Sequence, residues 1–213
     1  MKHYRMILAT LFVALIAFSG LTAQQEKSQS QPKTTEHLKF MGIPIDGSPE
    51  AFANKLKSRG FTLEDPFSPN VIWMTGTFAG VSNSDIFIYK SPSSANVYRV
   101  RVTFPAQDSW SQLEMRYSKF KDWLSQKYLL IKSTEEFQGY PPSSDSDKMT
   151  KLILDNCTYL CKYGAGSSEG EFLGTIYLAI KNFSSAYSKG FVAIEYEDYL
   201  NGEDAEQGFI DDL

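Results

Sequence analysis

Histidine and cysteine are scarce in this chain: its 213 residues include two of each. His3 sits in a short basic start, so His37 is the only imidazole beyond the first 23 residues. That scarcity weighs against His-dependent hydrolases, His-rich zinc sites and metalloprotease helices. Cys157 and Cys161 have no basic neighbour in sequence to activate a thiolate. Phosphate-cradling loops are missing as well, because neither Gly164 nor Gly166 leads into Lys-Ser/Thr and a helix.

A basic surplus is also missing. The chain has 21 Lys and Arg against 25 Asp and Glu, a net charge of −4. No basic footprint for nucleic acid follows from it. The imbalance is local. From Gly190 to Leu213 there are eight acids and no Lys or Arg. A solvated acidic terminal segment is the expectation for residues 201–213. A docking tail for a basic partner and a weak calcium site are the sharper alternatives. Asp198-Tyr199-Leu200-Asn201-Gly202 lacks the alternating oxygen ligands that a calcium loop needs.

Long apolar runs are confined to Met6–Leu21. Lys2, His3 and Arg5 precede that run, and small residues before Gln24 follow it. The layout predicts a secretory signal peptide over residues 1–23, cut after Ala23. The run is short of the about 20 apolar residues of a membrane span. The expectation is a periplasmic or secreted protein with no transmembrane segment after cleavage. Residues 24–36 are Gln, Ser, Lys, Thr and Glu with one Pro, a polar lead-in with nothing to bury.

What the chain does have is aromatic residues: 15 Phe, 12 Tyr and 3 Trp. That content favours strands. Ser48-Pro49-Glu50 reads as a helix start, with Phe52 and Leu56 on one face and Gly60 as its stop. Strand-like runs follow at 71–78, 85–90 and 97–104. In the last, Tyr98, Val100, Val102 and Phe104 alternate with Val97, Arg99, Arg101 and Thr103. Trp110, Leu113, Tyr117, Phe120, Leu124 and Tyr128 then form one stripe of a longer helix. A short helix near 149–154 and strands near 157–163, 172–181 and 191–199 complete the chain.

Helix-then-strands recurs in the same order. The pattern predicts an α+β fold: a tandem repeat of one helix packed on an antiparallel β-meander, over residues 37–107 and 108–200. Cys157 and Cys161 lie four apart on an extended segment, ~13 Å at ~3.3 Å per residue, too far for a disulfide. Two thiols are expected. A turn at Asn156 would favour a bridge instead.

His37-Leu38-Lys39-Phe40-Met41-Gly42-Ile43-Pro44-Ile45-Asp46-Gly47-Ser48, followed by the Phe52/Leu56 helix and Gly60-Phe61, resembles the start of uncharacterised secreted proteins from gut Bacteroidetes. The tandem plan resembles the β-lactamase-inhibitor-protein fold and small outer-membrane-assembly lipoproteins. No lipobox cysteine lies near residue 23, so the resemblance does not imply lipid anchoring. Nor does likeness of plan carry function.

Three candidate chemistries remain. Gly166-Ser167-Ser168-Glu169-Gly170 fits G-x-S-x-G, but a strand follows it and no His lies downstream, so a hairpin loop is expected. Glu195 and Glu197 share a strand face with Phe191 and Ala193, and a periplasmic carboxylate-dependent hydrolase would use such a pair. Arg99 and Arg101, with Trp73 and Tyr89, would form a binding surface on an open sheet face, since Arg and aromatics dominate interface hot spots. The reading that follows is an exported non-enzymatic binding module whose partner is another envelope or secreted protein. It has no catalytic residues, no metal and no cofactor.

Overall fold

The computed structural model describes residues 35–65, 68–184 and 187–211. The expected signal peptide and all but the last two residues of the lead-in lie outside them. The protein is α+β, with one large antiparallel eight-stranded sheet and four helices among the described residues.

A small hairpin of β1 (Lys39–Phe40) and β2 (Ile43–Pro44) opens the described chain. Helix α1 (Pro49–Lys57) follows the Ser48 cap, whose hydroxyl accepts from the Ala51 N–H, with Pro49 at the first helical position. Then come β3 (Thr62–Leu63), β4 (Val71–Phe78), β5 (Val81–Lys90) and β6 (Val97–Thr103). Helix α2 (Trp110–Ser125) leads into β7 (Leu129–Phe137), α3 (Asp145–Ile153), β8 (Cys157–Gly166), β9 (Phe172–Ser184) and β10 (Tyr187–Asp198). Helix α4 (Tyr199–Asp211) ends the described chain.

Across the sheet the order is β3-β4-β5-β6-β10-β9-β8-β7. The centre is the β6–β10 pair, with Arg101 opposite Glu195 and Arg99 opposite Glu197. One face is the core. Met74, Ile86, Ile88, Val100, Val102, Ile176, Leu178, Val192 and Ile194 pack there against Phe52 and Leu56 of α1, the α2 stripe, and Met149 and Leu152 of α3. Trp110, Leu113, Tyr117, Phe120 and Leu124 are all buried, as their spacing predicts. Phe120 stacks on Phe104 with centroids 4.4 Å apart. Ser109 makes no side-chain cap on α2. Asp145 of α3 does that work instead, accepting from the Trp110 and Ser111 N–H groups at 3.0 and 2.8 Å.

Four features depart from or add to the sequence pattern. First, the alternation of β6 breaks at its start. The register slips between Tyr89 and Lys90, so Val97 joins the core and Tyr98 lies outside that cluster, near Arg99 and Tyr89. Second, β7 was not legible, because an edge strand with exposed Leu129, Leu130 and Ile131 shows no buried alternation.

Third, residues 201–211 are not a solvated tail but most of α4. Asp198 caps that helix by accepting from the Asn201 N–H at 3.0 Å. Asn201, Asp204, Ala205 and Gly208 form its inward stripe. Asn201 donates to the Ile45 and Val97 carbonyls at 3.0 Å each. Asp204 accepts from Ser91 and Ser93 at 2.9 and 2.8 Å. Ala205 is buried, and a Cβ on Gly208 would press on Pro92 and Ser93.

Fourth, His37, alone as an imidazole beyond residue 23, has a buried partner. Its Nδ1 lies 2.9 Å from a carboxylate oxygen of fully buried Asp198.

Among the described residues, no helix is long and apolar enough to cross a membrane. Both cysteines are free: Cys161 is buried and Cys157 half-buried on β8, where burial pushes the Cys157 thiol up to about 12.

Candidate functional site

The face of the sheet opposite the core is the candidate site. Period-two alternation puts Trp73 and Thr75 of β4, Asp85, Phe87 and Tyr89 of β5, Arg99 and Arg101 of β6, Tyr177 of β9, and Glu195 and Glu197 of β10 on it. All are half-buried rather than sealed. The four sequence-predicted residues, Trp73, Tyr89, Arg99 and Arg101, therefore share one face across three adjacent strands.

That face is pre-ordered by charge. The Arg101 Nε and Nη2 both reach Glu195 Oε2 at 2.7 Å, and Arg99 Nη1 lies 3.5 Å from Oε1. Each strand register sets this geometry, since Glu195 is the direct cross-strand neighbour of Arg101. The Arg99 guanidinium lies over the Tyr89 ring at 4.4 Å and near Tyr98 at 5.1 Å. Trp73 stacks beside Phe87 at 6.2 Å, and its indole N–H donates to Asp85 at 2.9 Å. Burial pushes the Asp85 carboxyl upward despite that bond.

The two readings made from the sequence thus meet in one cluster. Arg99 and Arg101 are not free hooks, and Glu195 is not a free nucleophile; the two guanidiniums share its carboxylate. Glu197, opposite Arg99, behaves differently. Burial raises its carboxyl pKa, with Arg99 pulling the other way. Reversing the arginines would set acids against Glu195 and Glu197. Such a reversal would therefore strain the sheet as well as change its surface.

Sequence reasoning missed the depression beside this cluster. A cavity of about 510 Å³ opens on the sheet face, lined by Arg101, Leu160, Tyr177, Phe191 and Glu195 among others. Its floor is the cross-strand pair Ala179 and Ala193. Two alanines side by side between aromatics leave a socket where larger residues would have filled the face. The signal was present as small residues at outward positions of otherwise bulky strands. The volume falls within the range of ligand pockets, about 300–1,000 Å³.

A second polar cluster lies under β7. The Tyr117 hydroxyl sits 3.1 Å from both Cys161 Sγ and Glu135, and Ser133 lies 3.3 Å from the same sulfur. Cys161 is fully buried while Ser133 and Glu135 are exposed, so this cluster fastens α2 to β7 and β8 at the sheet edge. Ser167–Glu171 is the β8–β9 hairpin loop, as expected for the G-x-S-x-G stretch. Among the described residues, no three His, Cys, Asp or Glu side chains gather closely enough to hold a metal ion.

The fold and face define an α+β protein with an open, charge-patterned sheet surface. No protein-family model, no curated protein and no solved structure matches the chain.

Proposed function

We propose that this protein is an exported, non-enzymatic binding module that holds another envelope or secreted protein against its open sheet face. The observation that carries the reading is the alanine-floored socket beside the Arg101–Glu195 pair. An apolar side chain of the partner fills the socket, which the Arg101–Glu195 pair, Tyr177 and Phe191 frame, while Tyr89, Phe87 and Trp73 continue the same face beyond Arg101. Hot spots take this form: a desolvated pocket ringed by Arg and aromatics. Ion pairing within the free protein holds the arginines in place, so less side-chain freedom is lost on docking.

The strand order supports reading the chain as two helix-meander halves joined at β6 and β10. On that reading the binding face spans the junction, and its central charges come from both halves. The rival, a carboxylate-dependent hydrolase, needs Glu195 and Glu197 to act as a pair. Glu195 is already neutralised by two guanidiniums, which disfavours it as a nucleophile or base.

Affinity capture from envelope extract, using residues 24–213 and mass spectrometry of what is retained, tests the binding reading. A saturable partner is expected. Hydrolysis of a glycan or peptide library that a Glu195→Gln change abolishes would replace this reading with the enzyme.

A further inference from the structure

Helix α4 is amphipathic in an inverted sense. Its inward stripe is polar or small: Asn201, Asp204, Ala205 and Gly208. Its bulky apolar residues stay outside. Tyr199 is 39% exposed, Phe209 54% and Ile210 54%. A helix that buries polar and small residues leaves these apolar side chains outside, beside the exposed carboxylates of Glu203 and Glu206. Phe172 of β9, itself 44% exposed, extends that face, with its ring 5.5 Å from Tyr199.

These side chains border a groove. A cavity of about 470 Å³ lies between α4 and the ends of β6, β9 and β10, lined by Phe172, Tyr199 and Phe209 together with Glu197, Glu203 and Glu206. Arg99 is the one basic side chain among its lining residues, against the three carboxylates of Glu197, Glu203 and Glu206. The Glu197 carboxyl, raised by burial, would gain from a cation. An apolar floor under three carboxylates complements residues that are apolar on one side and cationic on the other.

We infer that the α4 groove docks a cationic amphipathic segment of a partner protein, its apolar side chains against Phe172, Tyr199 and Phe209 and its Lys or Arg side chains on Glu197, Glu203 and Glu206. Of the sharper readings of the acidic end, this keeps the basic partner and replaces the tail with a built groove. The groove is separate from the alanine-floored socket, although Glu197 lines both. An anionic bilayer would be repelled by the same carboxylates, so a protein segment is the fitting occupant.

The test uses a synthetic Leu/Lys helix of about 18 residues, five turns long, and a Leu/Glu analogue with the same apolar face. Titration calorimetry with the full chain should show saturable binding of the Leu/Lys peptide alone. Phe172→Ser/Phe209→Ser and Glu203→Lys/Glu206→Lys should each weaken it by about tenfold or more. All four positions are exposed, so the variants should keep the wild-type thermal melt. Ala193→Trp, which fills the other cavity, should leave this binding unchanged, so that the two sites succeed or fail separately. Equal binding of the Leu/Glu peptide would overturn the inference, as would unchanged binding by the Phe variant, which would reduce the effect to bulk charge. Concentration-dependent dimerisation abolished by Phe209→Ser would also overturn it, by making a second copy the occupant.

Discussion

His37 and Asp198 are 161 residues apart in the chain, and their side chains meet at 2.9 Å. The Asp198 carboxylate also accepts from the Leu38 N–H at 2.7 Å and caps α4 through the Asn201 N–H. One buried acid therefore ties Leu38 and His37 to the end of β10 and the start of α4. Asp198→Ala would leave these donors buried and unpaired. Each of the two buried backbone donors costs about 1–3 kcal/mol, so the change should destabilise the fold by about 2–6 kcal/mol in denaturant melts. His37→Ala removes only one partly exposed partner and should cost less. Equal losses would mean that the imidazole, not the carboxylate, organises the junction.

Phe120→Ala should destabilise the protein by about 3–5 kcal/mol, the usual range for a buried Phe. The side chain is 3% exposed and stacked on Phe104. A loss below about 1 kcal/mol in equilibrium unfolding would show that α2 contributes little to the core.

Gly174→Ala should be more damaging than its one added methyl group suggests. Gly174 has φ +154°, and a Cβ there would run into the Glu197 carbonyl oxygen and crowd Leu38. Backbone cannot step aside as a side chain can, so a loss above about 3 kcal/mol is expected. Thermal melting of the purified variant decides it, and a wild-type melt would contradict this packing.

Glu135 sets an acid limit. Burial pushes its carboxyl up, but hydrogen bonds from Lys121, Ser133 and Tyr117 outweigh this and hold it below its ordinary 4.5. A carboxylate held low in the folded state contributes stability above its unfolded pKa and loses it as pH falls through the folded value. Stability should therefore drop below about pH 4.5. Glu135→Gln should lower stability at pH 7 and flatten that acid-side drop. An unchanged slope between neutral and acid melts would remove Glu135 from the account.

The legible parts of the fold were those with a strong period. The α2 stripe and the central alternation of β6 gave their partners away because each buries one apolar face. Helix α4 did not, since Asn201, Asp204, Ala205 and Gly208 dock it through hydrogen bonds and close approach rather than apolar area. Strand β7 did not either, because an edge strand covers neither of its faces. For the site, alternation was enough to place Arg99, Arg101, Trp73 and Tyr89 together. The pairing of Arg101 with Glu195 depends on the β6–β10 register, which brings together residues 94 apart and leaves no local trace.

The most direct measurement of the central claim is the affinity of the captured partner for wild-type protein and for Ala193→Trp. Ala193 is 8% exposed on the floor of the open-face socket, and an indole there projects into the cavity rather than the core. The binding account predicts an unchanged thermal melt and an affinity weakened by about a hundredfold, as expected for a blocked hot spot. Undiminished affinity of a properly folded Ala193→Trp protein would contradict it and move binding off the open sheet face.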